Sequence, residues 1–139
     1  MKRSFLYKPK VWSSVLYLLT IAVALTLHLG KKSVLLHAGI SVERHHEISL
    51  HISNFSISYI LCLVVGYMWL LYGAALNRVL MFTAAVIVIN YIYELFLPLL
   101  NTPDITDAYY GVAGSILAGM VLLLIKKSGL ELSIPKEIL

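Results

Sequence analysis

Four long apolar runs, separated by polar stretches, dominate the hydrophobic pattern of the chain. They cover residues 11–29, 55–76, 79–100 and 109–125. A helix crosses the hydrocarbon core of a bilayer with about 20 apolar residues, at ~1.5 Å per residue. The pattern therefore predicts an all-α polytopic membrane protein, in which residues 1–139 form one membrane domain with four transmembrane helices.

The polar stretches between these runs predict the connections. Residues 30–54 are the most polar part and are expected to form an outer loop, with a short interfacial helix or a strand-like lid. Asn77 and Arg78 suggest a very short turn between the second and third helices. Residues 126–139 are expected to be a short cytoplasmic tail with little order.

Composition supports this assignment and excludes other classes. Apolar residues make up 60% of the chain and charged residues 13%, with a formal net charge of +4. The basic residues lie at the ends of apolar runs, as expected where membrane helices meet acidic lipid head groups, so nucleic-acid binding is not expected. Cys62 is the single cysteine, so no intrachain disulfide is possible.

The distribution of basic residues predicts the topology, because cytoplasmic segments carry the excess of Lys and Arg. With both termini cytoplasmic, the outer segments hold only Lys31, Lys32 and Arg44. All other basic residues are then on the inner side, namely Lys2, Arg3, Lys8, Lys10, Arg78, Lys126, Lys127 and Lys136. The expected location is the plasma membrane of a prokaryote.

A carboxylate inside the third apolar run marks the first candidate site. Glu94 shares a helix face with Asn90, and an ionisable group within a membrane helix costs about 2.5–3.5 kcal/mol near the centre, so it suggests a function. The predicted ligand-binding set is Asn90, Tyr93, Glu94, Asn101, Asp104 and Asp107, and Glu94 and Asp107 are the candidates for any catalytic role. Two purely structural roles for these residues remain open. Asn90 and Glu94 would form hydrogen bonds to His28, Tyr17 or Tyr59 of other helices and so hold the helices together. Asp107 would serve as the N-cap of the fourth helix.

Histidines of the outer loop form a second, weaker candidate. His45, His46 and His51 lie near Glu43 and Glu47, but their spacing matches no metal-binding motif. We expect solvated loop histidines or a pH-sensitive lid rather than a metal site. No cofactor is expected.

The order of residues in the C-terminal half resembles the signature of the VanZ-like membrane proteins. Glu94 is followed by a proline-containing turn, then by Asp104-Ile105-x-Asp107, and then by Gly111 and Gly114. Asn54-Phe55-x5-Leu61 is similar to the His-Phe-x5-Leu of that family, with Asn54 in place of the histidine. The YjdF-like inner-membrane family has a similar acidic turn. VanZ-like proteins are associated with resistance to the lipid-tailed glycopeptide teicoplanin, so the resemblance implies a role in the cell envelope.

These observations favour a membrane protein that binds a lipid-linked or amphiphilic ligand at the outer leaflet. One alternative is a membrane enzyme acting on a lipid phosphate or glycan, with Glu94 as the acid/base. Another alternative is a subunit or scaffold of a membrane complex. A homo-oligomer or a membrane-protein partner is expected in each case, because four short helices make a thin bundle.

Overall fold

Four helices form the bundle predicted from the sequence. The structure is a computed structural model that describes residues 5–37, 42–96 and 104–133. Within these residues the helices are α1 (Val11–His37), α2 (Val42–Leu71), α3 (Leu76–Phe96) and α4 (Ile105–Leu124). Each contains a segment long and apolar enough to cross a membrane. The fold class, an all-α polytopic membrane protein, is therefore confirmed.

The predicted outer loop at residues 30–54 is largely helical, and the prediction of a loop there is wrong. Helix α1 continues to His37, and α2 begins at Val42. No proline lies between Pro9 and Pro98, so nothing forces the helices to end where the apolar pattern ends. Hydropathy marks the part of a helix that suits lipid, whereas the polar turns beyond it are equally able to form backbone hydrogen bonds.

The connection between α2 and α3 lies earlier than predicted. Gly73 adopts a φ of 87°, a left-handed conformation that glycine reaches without steric cost, and it ends α2. Its N–H donates to the carbonyl of Leu70 at 3.0 Å, and the N–H of Ala74 donates to Trp69 at 2.9 Å. Asn77 and Arg78, predicted as the turn, belong instead to the first turn of α3.

A two-stranded ribbon joins the segment before α1 to the segment after α4. Strand β1 (Tyr7–Pro9) pairs antiparallel with strand β2 (Leu130–Leu132), which follows a π-helical turn at Ile125–Gly129. We call β1 and β2 the terminal ribbon. Part of the predicted disordered tail is therefore ordered. The ribbon places the start of α1 and the end of α4 on one side of the bundle, and the assignment of that side to the cytoplasm stays a prediction.

Helices α2 and α4 form the centre of the bundle, with α1 and α3 outside them. Half of the most apolar segment of α2 and of α4 is buried, against 11% in α1 and 17% in α3. Small residues allow close approach: a Cβ on Gly114 of α4 would collide with the backbone of Phe55 in α2. This contact brings together the polar residues that lie on α2, α3 and α4.

Candidate functional site

One side of α2 carries a row of polar residues that continues into the bundle. His51, Asn54, Ser58 and Cys62 follow each other at intervals of three or four residues, which places them on one helix face. We call them the polar stripe of α2. The first three contact polar residues of α3 or α4, as described below, and Cys62 is fully buried.

His51 lies between two carboxylates at the start of α4. Its Nδ1 lies 2.6 Å from Oδ1 of Asp107, so the imidazole donates a hydrogen bond to that carboxylate. Oδ2 of Asp104 lies 3.8 Å from the same nitrogen. The side chains of His51 and Asp107 are only 13% and 16% exposed, so this pair is largely shielded from solvent. Its partial burial strengthens the interaction relative to a surface ion pair.

Asp104 rather than Asp107 caps α4. Oδ1 of Asp104 accepts a hydrogen bond from the Thr106 N–H at 2.8 Å, which satisfies one of the free donors at the helix start. This bond and the nearby His51 hold the pKa of Asp104 below its usual value of 3.8. Asp107 lies in the first turn and is therefore available to His51.

Glu94 and Asn90 of α3 are hydrogen-bonded to the polar stripe of α2. Nδ2 of Asn54 donates to Oε1 of Glu94 at 3.3 Å, and Glu94 is only 4% exposed. Asn90 and Ser58 exchange hydrogen bonds of 3.1 and 3.2 Å. Interhelical bonding was one of the predicted alternatives, but Ser58 and Asn54 were not among its predicted partners.

Contact between α3 and α4 brings Glu94 to the level of Asp107. A Cβ on Gly111 would meet the side chain of Asn90, so these two residues face each other. The helices are antiparallel neighbours in the chain. One turn beyond Asn90 is Glu94, and one turn before Gly111 is Asp107. Both carboxylates therefore lie at the same end of the bundle.

Other predicted site residues are placed differently. Tyr93 is 39% exposed on the outside of α3. Its neighbour Tyr91 instead contacts Tyr109, with ring centroids 6.3 Å apart in an edge-to-face arrangement. Asn101 lies outside the described residues.

Three side chains have the geometry to share a metal ion. One donor atom each from His51, Asp104 and Asp107 lie within 4.8 Å of one another. Imidazole and carboxylate ligands suit divalent ions such as Zn²⁺ or Mn²⁺. Of the three histidines considered from the sequence as metal ligands, only His51 has a described side chain, since those of His45 and His46 in α2 lie outside the described part of the chain.

An apolar groove lies between α1 and α4. It has a volume of about 260 Å³, with Phe55 and Tyr59 of α2 as its floor. Its walls are Leu19, Thr20, Val23, Ala24, Leu27 and Leu117. We call it the α1/α4 groove. Phe55 and Tyr59 lie one and two turns after His51 on the same face of α2, and the rings of His51 and Tyr110 are 5.4 Å apart.

Sequence reasoning missed the polar stripe of α2 as a unit. Its signal was the spacing of His51, Asn54 and Ser58, which is helical only if α2 begins before residue 51. Because residues 30–54 were predicted to be a loop, His51 and Asn54 were not considered part of a helix, and their helical spacing to Ser58 was not recognised.

The fold and the site define a small integral membrane protein with four candidate spanning helices and polar residues buried at one end. Comparison of the chain with protein-family models, with curated proteins and with solved structures finds no match. Its function is therefore argued from the site alone.

Proposed function

We propose that this protein is a VanZ-like component of a prokaryotic cell envelope that binds an amphiphile in the outer leaflet of the plasma membrane. The observation that supports the proposal is the position of the α1/α4 groove, whose floor residue Phe55 lies one turn of α2 from His51 of the polar cluster. An apolar groove with polar groups one helical turn away matches a molecule with one apolar and one polar end.

The chemistry of the two parts suggests which amphiphiles would fit. The groove is lined by aliphatic and aromatic side chains, so it suits a hydrocarbon chain. Carboxylates and an imidazole accept hydrogen bonds from hydroxyl and amine groups. A lipid-linked glycan or a lipid-tailed glycopeptide carries both a hydrocarbon tail and many such donors.

Glu94 would act on the cluster indirectly, through its hydrogen bond to α2. It is almost fully buried and is bonded to Asn54, three residues after His51 on the polar stripe of α2. In this arrangement Glu94 orients the start of α2, and His51 and Asp107 contact the head group directly. The outer-leaflet location is supported by the basic residues, which are concentrated at the other end of the bundle.

The test is binding of diglucosyl-diacylglycerol, an uncharged glycolipid, to the purified protein, measured by native mass spectrometry. We expect E94Q/D107N to weaken binding at least tenfold, while E131Q, which alters an exposed carboxylate at the opposite end, leaves it unchanged. V23W would fill the groove and weaken binding without altering any polar group. If the wild-type protein and all three variants, each verified as folded, bind the glycolipid equally, the proposal is refuted.

One observation favours an enzyme as the second candidate. Asp107 orients His51 through a short hydrogen bond, as a carboxylate orients the imidazole of a general base. Glu94 would then serve as the acid/base partner foreseen from the sequence. Turnover of a lipid phosphate or glycan that requires both His51 and Glu94, with a bell-shaped pH profile, would favour this candidate over simple binding.

A further inference from the structure

A second groove lies at the other end of the bundle, between the start of α3 and the end of α4. It has a volume of about 460 Å³ and is lined by Leu76, Met120, Leu123, Leu124, Lys126 and Lys127. We call it the α3/α4 groove. Its almost entirely apolar walls include the side chains of Lys126 and Lys127, whose positive charges lie at this end of the bundle. Among the residues that the structure describes, no charged one lines the α1/α4 groove, and the nearest polar cluster, which includes two carboxylates, begins one turn of α2 from its floor residue Phe55. The two grooves therefore differ in the charge of the head group that they suit.

The lysines continue the apolar face of α4. Met120, Leu124 and Lys127 follow at intervals of four and three residues, so they lie along one side of the helix. Met120 and Leu124 are 56% and 55% exposed, and in a membrane this surface faces lipid chains. A lipid lying along the groove would thus reach Lys127 with its head group.

The π-helical turn fixes both lysines at the end of the bundle. Ile125, its first residue, is fully buried, and the carbonyl of its last residue, Gly129, accepts hydrogen bonds from Ser13 Oγ at 2.7 Å and from the Lys10 N–H at 2.8 Å. Nζ of Lys126 lies 4.2 Å from the centroid of the Tyr7 ring. Turns of this kind are frequent at functional sites.

Nearby charges reinforce the preference for an anion. Helix α3 begins at Leu76 in the groove wall, and a helix start carries free N–H donors and a partial positive charge. No acidic residue lies in the first turn of α3. On the terminal ribbon, Glu131 is paired with Lys8 at 3.4 Å, so its charge is compensated.

From this arrangement we infer that the α3/α4 groove binds an anionic phospholipid. One acyl chain lies against Met120, Leu123 and Leu124, and the phosphate lies between the ammonium groups of Lys126 and Lys127. A zwitterionic phospholipid carries an additional positive group in its head, which these lysines repel. The inference is independent of the ligand proposed for the α1/α4 groove.

The experiment compares phosphatidylglycerol with phosphatidylcholine of identical acyl chains, bound to the full chain and measured by native mass spectrometry. We expect wild-type protein to prefer phosphatidylglycerol, and K126Q/K127Q to reduce this preference roughly thirtyfold, since two lysines near a lipid head group together contribute on the order of 2 kcal/mol. K126R/K127R should retain the preference. K10Q removes an exposed positive charge from the same end, outside the groove, and should also retain the preference.

A second variant tests the apolar wall. M120W places a large side chain in the groove and should weaken binding of phosphatidylglycerol, while its exposed position allows the protein to fold. Equal binding of the two lipids by wild-type protein would overturn the inference, as would an undiminished preference in K126Q/K127Q. Displacement of the lipid by millimolar inorganic phosphate would also overturn it, because the site would then recognise a free anion rather than a lipid.

Discussion

The contact between the backbones of α2 and α4 at Gly114 can be tested with a matched pair of substitutions. A Cβ at Gly114 would collide with the carbonyl oxygen of Phe55, a backbone atom that cannot rotate away. Five residues later, a Cβ at Gly119 would lie 3.6 Å from Cγ2 of Thr83, an ordinary contact. Both glycines are buried in α4. The substitutions G114A and G119A therefore differ mainly in the atom that the new methyl group meets.

The expected difference follows from these contacts. Alanine gains about 0.8–1.0 kcal/mol over glycine in a helix interior, and this gain is common to both variants. At Gly114 the two helices must move apart to admit the methyl group, and such overpacking costs about 1–3 kcal/mol. We therefore expect the free energy of unfolding of G114A to be about 1–3 kcal/mol lower than that of G119A.

Reversible unfolding in mixed micelles, followed by circular dichroism as the fraction of denaturing detergent rises, measures this difference. G66A provides an intermediate case, because its Cβ would meet the flexible side chain of Leu122 rather than backbone. If G114A is as stable as G119A, the approach of α4 to Phe55 is not what holds the centre of the bundle together.

Three further predictions concern the site and the terminal ribbon. H51A leaves the carboxylate of Asp107 shielded without its partner and should lower the free energy of unfolding by about 1–3 kcal/mol, whereas H51A/D107N should recover part of this loss. The pKa of Asp104 is lower in the folded protein than in the unfolded chain, so ionised Asp104 stabilises the fold fully when the pH is above its usual pKa. This stabilisation is lost as the pH falls through the lowered pKa of the folded state. D104A should remove this acid dependence from thermal unfolding curves. S13A should cost about 1 kcal/mol and speed hydrogen exchange in the terminal ribbon, while S128A, whose exposed hydroxyl bonds within its own helix, should leave the exchange rates unchanged.

Sequence reasoning located the membrane-spanning helices because long apolar runs report directly on which segments suit lipid. It also located Glu94 and Asp107, because a carboxylate inside or next to an apolar run is conspicuous. The helical continuation of α1 and α2 beyond the apolar runs was not predictable from hydropathy, which does not distinguish a polar helix from a polar loop. The bond between His51 and Asp107 joins residues 56 positions apart, so it depends on how α2 and α4 pack.

The terminal ribbon gave no usable signal for a different reason. Its strands have three residues each, too few to show an alternating pattern, and their pairing joins distant parts of the chain. The role of Ser13 is hidden in the same way, since a serine at the start of an apolar run is unremarkable until Gly129 is placed beside it.

The ribbon has a consequence for the order in which the protein is assembled. Helix α1 is synthesised before the other three helices, and it packs on α2, for example through the stacked rings of Tyr17 and Tyr67. Its attachment through Ser13 and β1, by contrast, is to a segment that is synthesised only after α4. That attachment can therefore form only when the whole bundle has been made, and it is the last contact of α1 to be completed.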